Sequence, residues 1–116
     1  MTTPERHGAG ALMSQAVVHA GTAWLSGQVA DDRGASVEAQ TREVLAKIDA
    51  LLADVGSSRS RLVSAQIWLA DIGTFSRMNE VWKQWIDPDN PPARATVEAR
   101  MAAPDILVEI AVVAAV

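Results

Sequence analysis

The chain of 116 residues contains no cysteine and only two histidines. Without cysteine, disulfide bonds, thiolate metal sites and a cysteine nucleophile are excluded. His7 lies in the polar start of the chain and His19 in a short apolar run, a pattern that does not favour a histidine-based zinc site. We therefore expect no metal centre.

Positive charge is also scarce, and long apolar runs are missing. The formal net charge is -4 and no cluster of lysine and arginine is present, which argues against a nucleic-acid partner. The longest apolar stretch, residues 106–116, is too short to span a bilayer. The first ten residues lack the apolar core of a signal peptide, so we expect a cytoplasmic protein with no membrane partner.

The pattern of the first half predicts a hairpin followed by a helix, within one domain that spans residues 1–116. Two short apolar runs flank Ala20-Gly21-Thr22, which is typical of a β-hairpin. Ser36 is suited to cap a helix that Gly56 would end. Between them, apolar residues recur at steps of three and four and predict an amphipathic helix. This stripe comprises Val37, Thr41, Val44, Leu45, Ile48, Leu51, Leu52 and Val55.

The second half predicts strand, helix, strand and strand. Residues 61–72 alternate as a strand does, and Thr74–Ile86 carries a second apolar helical stripe that "DPDNPP" ends. Residues 93–101 and 106–116 alternate again. The order ββαβαββ predicts an α+β domain with two helices on one face of a single sheet. If residues 102–105 close a hairpin, the last two strands pair with each other.

The last strand is apolar on both of its faces. Ile106, Val108 and Ile110 begin the face suited to the helices, whereas the alternate positions are apolar apart from Glu109. When helices cover one face of a sheet, the other face is normally polar and exposed to water. We therefore expect the second face to be buried against another subunit.

Two charged residues stand out as candidate site residues. Glu109 lies alone in an apolar run, so it needs either a neutralising arginine across the sheet or a raised pKa. Arg94 follows two prolines in the preceding strand. It either meets solvent at a sheet edge or uses its planar fork to grip a carboxylate, from a side chain or from a ligand.

Two weaker candidates accompany them. Asn79 lies among the apolar residues of the second helix, where it must be hydrogen-bonded if buried, or else sits at the edge of the stripe and bonds backbone. In "SGQ" the glycine, Gly27, interrupts a strand, which often marks a close backbone approach. Ser26 has no histidine in a recognisable nucleophilic arrangement. The glycine spacing fits no phosphate-binding loop.

Several stretches in order resemble one protein family. These are "SQAVVHAGTAWLSGQV" with its "SGQ", "QTREVLAKIDALLADVG", "MNEVW", "PPARATVE" and "VEIAVVAA". Together they cover nearly the whole chain and resemble the reactive-intermediate deaminase family (RidA/YjgF), in particular its short members that end in "VEI…VAAV".

The resemblance implies a chorismate-mutase-like fold that assembles as a homotrimer, with ligand clefts between subunits. It implies a hydrolytic deaminase that converts small 2-imino or enamine acids to 2-oxo acids and ammonia, without a metal or organic cofactor. By the same resemblance, Arg94 binds the substrate carboxylate and Glu109 positions the attacking water. Ser26, Asn79 and the backbone of Gly27 line the pocket.

Three positions depart from the pattern of the family. Met13 falls at or near the pocket tyrosine, Thr96 replaces a cysteine, and Ala111 replaces a second glutamate. Because these changes alter the pocket walls, a non-catalytic trimer that binds a 2-oxo acid or an amino acid is the alternative. A holdase-like interaction protein is a third hypothesis, for which neither Arg94 nor Glu109 would matter.

Overall fold

A six-stranded sheet with two helices packed on one face forms the body of the protein, as the computed structural model describes it for residues 3–116. Short 3-10 turns precede β4 and α2. The predicted α+β architecture is confirmed, and β1 is an additional strand that was not predicted. The elements are β1 (Glu5–His7), β2 (Ala16–His19), β3 (Thr22–Leu25), α1 (Val37–Asp54), β4 (Leu62–Leu69), α2 (Phe75–Trp85), β5 (Ala93–Glu98) and β6 (Val108–Ala115).

The hairpin of β2 and β3 turns at the predicted position. His19 pairs with Thr22, and the two residues between them have positive φ angles, 51° at Ala20 and 80° at Gly21. Such a two-residue turn matches the right-handed twist of the flanking strands.

Both helices begin and end close to their predicted limits. The Ser36 hydroxyl accepts a hydrogen bond from the backbone N–H of Ala39 at the start of α1. At the other end Gly56 has a φ of 76°, and its N–H donates to the Ala53 carbonyl. Neither helix of the described residues is long and apolar enough to cross a membrane.

The strand order is β1-β2-β3-β6-β4-β5, which corrects the expected pairing of the last two strands. β4 lies between them, parallel to β5 and antiparallel to β6, so residues 102–105 do not close a hairpin. β4, α2 and β5 form a crossover unit that joins parallel neighbours, and both edges of β6 are paired, with β3 and with β4. β5 is left as a largely exposed edge strand.

The two faces of the sheet differ in what covers them. On β4 the side chains of Ala65, Ile67 and Leu69 are buried on the side of the helices, and the core continues through alternate residues of β6. We call the other side the open face; its residues on the central strands are Ser64, Gln66, Trp68, Glu109, Ala111 and Val113. Trp24, Val63 and Val97 are about half exposed. The open face is thus largely apolar, as the last strand predicted.

A buried glutamine anchors the segment between β5 and β6. Gln40 of α1 is only 1% exposed. Its side-chain amide donates to the Asp105 carbonyl at 3.0 Å, and its side-chain oxygen accepts from the backbone N–H of Leu107 at 3.0 Å. These bonds hold the end of the segment that leads into β6 and Glu109.

Candidate active site

Arg94 is held in a bracket formed by α2. Its guanidinium carbon lies 5.6 Å from the ring centre of Phe75 and 5.3 Å from that of Trp82. One terminal nitrogen donates to the side-chain oxygen of Asn79 at 2.7 Å. On β5, therefore, the side chains of Arg94 and Thr96 point to the face of the sheet that the helices cover.

The guanidinium of Arg94 keeps several donors that Asn79 does not use. Asn79 occupies one of the five N–H donors of the guanidinium, which leaves the remainder of the fork for a bidentate partner. Burial lowers the pKa of Arg94, although the group stays protonated at any ordinary pH. The aromatic rings replace water on its faces, and a partly desolvated guanidinium binds a carboxylate more strongly than a fully hydrated one.

Thr96 lies two residues further along the same side of β5. Its hydroxyl is buried and has no hydrogen-bond partner among residues 3–116. A buried polar group without a partner costs free energy, which a suitably placed ligand could recover. Phe75 and Trp82 were predicted only as apolar stripe residues, because sequence alone gave no indication that they would flank an arginine.

Glu109 lies on the open face, opposite Trp68 of β4. No arginine, lysine or histidine of the described residues lies within ion-pair distance of its carboxylate. Within residues 3–116, Glu109 therefore forms no direct ion pair with an arginine. The carboxylate instead packs on Gly27: a β-carbon at that glycine would lie 2.1 Å from Oε2 of Glu109. The close approach expected at this glycine is present.

A hollow of about 240 Å³ opens beside Glu109. Trp68 and Arg100 contribute to its wall together with Ala99, Met101 and Ala102. Neither Trp68 nor Arg100 was singled out from the sequence. The alternation along β4 did put Trp68 on the second face, but its place next to Glu109 depends on the pairing of β4 with β6.

The remaining predicted pocket residues are Ser26 and Met13. Ser26 precedes Gly27, and its hydroxyl donates to the backbone carbonyl of Gln15 at 3.2 Å. Met13 lies between β1 and β2 with 52% of its surface exposed, and its carbonyl accepts from Gly10. Among the described residues, no group of three histidine, aspartate or glutamate side chains is placed to hold a metal ion.

Arg94 and Glu109 are on opposite faces of the same sheet. Arg94 pairs with Ala65 and Glu109 with Trp68, three residues further along β4. Residues that pair across two adjacent strands point to the same face of the sheet. Two residues of one strand that are an odd number of positions apart point to opposite faces. Within one chain the sheet therefore lies between the two side chains.

Comparison with known proteins identifies the family. Residues 4–116 match the family described as Endoribonuclease L-PSP. A RutC family protein from Haemophilus influenzae is 42% identical over 105 residues, which is 90% of each chain. The crystal structure of a YjgF family member from Neisseria meningitidis superposes with a TM-score of 0.95 at 40% identity, over 97% of this chain and 94% of that one. The chain belongs to the RidA/YjgF family.

A more distant member has the same fold. The Rid protein YyfA from Yersinia pestis is 34% identical, with a TM-score of 0.84 over 93% of this chain and 90% of that one. The chorismate-mutase-like α+β fold implied by the sequence resemblance is thus confirmed. The names of these three relatives specify a family and no reaction.

Proposed function

We propose that the protein is a hydrolytic deaminase of small 2-imino or enamine carboxylic acids that works as a homotrimer, without a metal or organic cofactor. The observation that carries this proposal is the bracketed Arg94, a guanidinium with free donors in a member of the RidA/YjgF family. Such a group suits the carboxylate that every substrate of this class carries.

Trimer formation would bring the two halves of the site together. The open face is largely apolar and, within residues 3–116, no element covers it. β5 with Arg94 forms the adjacent edge of the sheet. In a closed ring of three chains, each interface joins different patches of two neighbours. The β5 edge of one chain can then meet the open face of the next, so that Arg94 and Glu109 from different chains share one cleft.

In that cleft the substrate carboxylate pairs with Arg94, while Asn79 holds the guanidinium in place. The Glu109 carboxylate accepts a proton from a water molecule as the oxygen attacks the imine carbon. Glu109 passes this proton to the imine nitrogen, which gives a carbinolamine with one hydroxyl and one amino group. A second proton, transferred from that hydroxyl through Glu109 to the amino nitrogen, lets ammonia leave as the carbon–oxygen double bond forms. One water is consumed, and one 2-oxo acid and one ammonia result.

The site needs to supply only a modest acceleration. Free imines already hydrolyse in water, so fixing the carboxylate and aligning the water can provide most of the effect. RNA, which the family name Endoribonuclease L-PSP suggests, is not favoured as a substrate, because the chain has a net charge of -4 and no basic cluster.

The test is to measure ammonia and 2-oxo acid release from freshly generated 2-imino acids. The wild type should accelerate release, Glu109→Gln should lose turnover but still bind a 2-oxo acid, and Arg94→Ala should lose both. The exposed Glu80 and Arg61 provide matched controls as Glu80→Gln and Arg61→Ala. Binding can be followed by tryptophan fluorescence, since Trp82 lies against Arg94.

Two outcomes would contradict the proposal in different ways. No acceleration with several imino acids, while a 2-oxo acid still binds through Arg94, would make the protein a non-catalytic carboxylate binder. Normal activity in Glu109→Gln would remove the proposed role of this carboxylate.

A further inference from the structure

A buried glutamine, Gln28, organises the turn that contacts Glu109. Gln28 is 8% exposed, and its side-chain nitrogen lies within hydrogen-bond distance of three oxygens. These are Oε1 of Gln15 at 3.0 Å, the carbonyl of Ser26 at 3.1 Å and the hydroxyl of Ser26 at 3.3 Å. The amide has two N–H donors, so all of its donor capacity is used within this cluster.

The backbone of the same turn is hydrogen-bonded on both sides of Gly27. The N–H of Ser26 donates to the Gln15 carbonyl at 2.9 Å. Gln28 exchanges two backbone bonds with Ile110, at 2.9 Å and 3.1 Å, and Ile110 is the neighbour of Glu109 in sequence. Gly27 is thus held between two anchored residues, with its α-carbon against the Glu109 carboxylate.

We propose that Gln28, together with Gln15, is a positioning residue that sets the direction of the Glu109 carboxylate through the backbone of Ser26 and Gly27. This inference rests on the proposed function for its kinetic consequence. The Ser26 hydroxyl is then part of the anchoring cluster, since it donates to Gln15 and accepts from Gln28.

The amide is suited to this task because it links two segments at once. Its donors reach Gln15, which precedes β2, and Ser26, which follows β3. A methionine at position 28 would keep the length of the side chain but remove the donor to the Ser26 carbonyl, and Oε1 of Gln15 would keep only the longer bond of 3.4 Å from the Ser26 hydroxyl. The turn would loosen, and Glu109 would lose the surface that restricts it, whereas Arg94 on the opposite face would be unaffected.

The experiment compares Gln28→Met with Gln84→Met, which makes the same chemical change at an exposed glutamine of α2. The first readout is steady-state kinetics with a 2-imino acid. For Gln28→Met we expect kcat to fall about 10- to 100-fold with KM within about threefold, because only the group that directs the water is misplaced. Gln84→Met should stay within about twofold of the wild type in both constants.

The second readout does not need turnover. The ¹³C resonance of the Glu109 side-chain carboxyl, assigned by its loss in Glu109→Gln, should shift in Gln28→Met and not in Gln84→Met. If Gln28→Met does not fold, Gln15→Met removes the partner from a less buried position and should give the same pattern.

The positioning role would be refuted if the carboxyl resonance of Glu109 did not shift in Gln28→Met. It would also be refuted if the wild type is active and Gln28→Met has the same kcat. A wild type without turnover would refute the proposed function instead, and the carboxyl resonance would still decide the positioning role.

Discussion

Gly27→Ala is the sharpest test of how Glu109 is held. The added β-carbon would lie 2.1 Å from Oε2, 2.9 Å from Cδ and 3.1 Å from Cγ of Glu109. Non-bonded atoms need about 3.5 Å between centres, so the carboxylate must retreat by more than about 1 Å. Since the obstacle is the end of a flexible side chain, the fold can survive. The catalytic geometry cannot, and a displacement of this size lowers the rate about 100-fold, or about 2.7 kcal/mol in activation free energy.

The assay measures kcat/KM for a 2-imino acid and the midpoint of thermal unfolding for each variant. Gly34→Ala is the matched control, because a β-carbon there meets only Asp32, at an ordinary 3.7 Å. We expect Gly27→Ala to lose about two orders of magnitude in kcat/KM with a small change in midpoint, and Gly34→Ala to lose neither. Wild-type activity in Gly27→Ala would refute the reasoning that the glycine contact sets the position of Glu109.

Three further predictions concern stability. Gln40→Leu leaves the backbone N–H of Leu107 without its acceptor, so urea unfolding should show a loss of about 1–3 kcal/mol; an unchanged midpoint would contradict this. Thr96→Val removes a buried hydroxyl that has no partner among residues 3–116. It should leave the thermal midpoint unchanged or raised, but weaken 2-oxo acid binding if the ligand uses that hydroxyl. The hydrogen bond from Arg77 lowers the pKa of Glu38. The pairing of Arg77 with Glu38 therefore stabilises the folded state at pH values above the ordinary carboxyl pKa, and this stabilisation is lost as pH falls through the lowered pKa of Glu38. Arg77→Gln should reduce the difference in thermal midpoint between neutral and acidic pH, and an equal difference would exclude the pair as its source.

The elements of the fold follow from local signals in the sequence. α1 has a serine cap, an uninterrupted apolar stripe and a terminal glycine with positive φ, and each of these acts within a few residues. The tight turn at Ala20-Gly21 is equally local. The apolar second face of β6 could also be predicted from the sequence, because alternation assigns each residue to a face without knowledge of the neighbouring strand.

The strand order was harder to predict, because it depends on long-range pairing. β5 and β6 are consecutive, and a short hairpin is the commonest link between consecutive strands. The crossover through α2 makes β5 parallel to β4, and β6 instead pairs with β3 and β4 on the other side of β4. β1 is three residues long and carries no alternation that could have revealed it.

The residues of the site were accessible from the sequence, but their arrangement was not. A lone carboxylate in an apolar strand and an arginine after two prolines are conspicuous in any reading of the chain. That Asn79 bonds Arg94, and that Arg94 and Glu109 face opposite sides of the sheet, depends on the register of β4 with both of its neighbours. Trp68 and Arg100 join Glu109 for the same reason.

The most direct test of the account is to mix two inactive variants, Arg94→Ala and Glu109→Gln, and to let their subunits exchange. If each cleft takes Arg94 from one chain and Glu109 from another, an equal mixture regains about a quarter of the wild-type activity, because that fraction of clefts receives both intact residues. A mixture no more active than its parents, with subunit exchange verified, would contradict a site shared between chains.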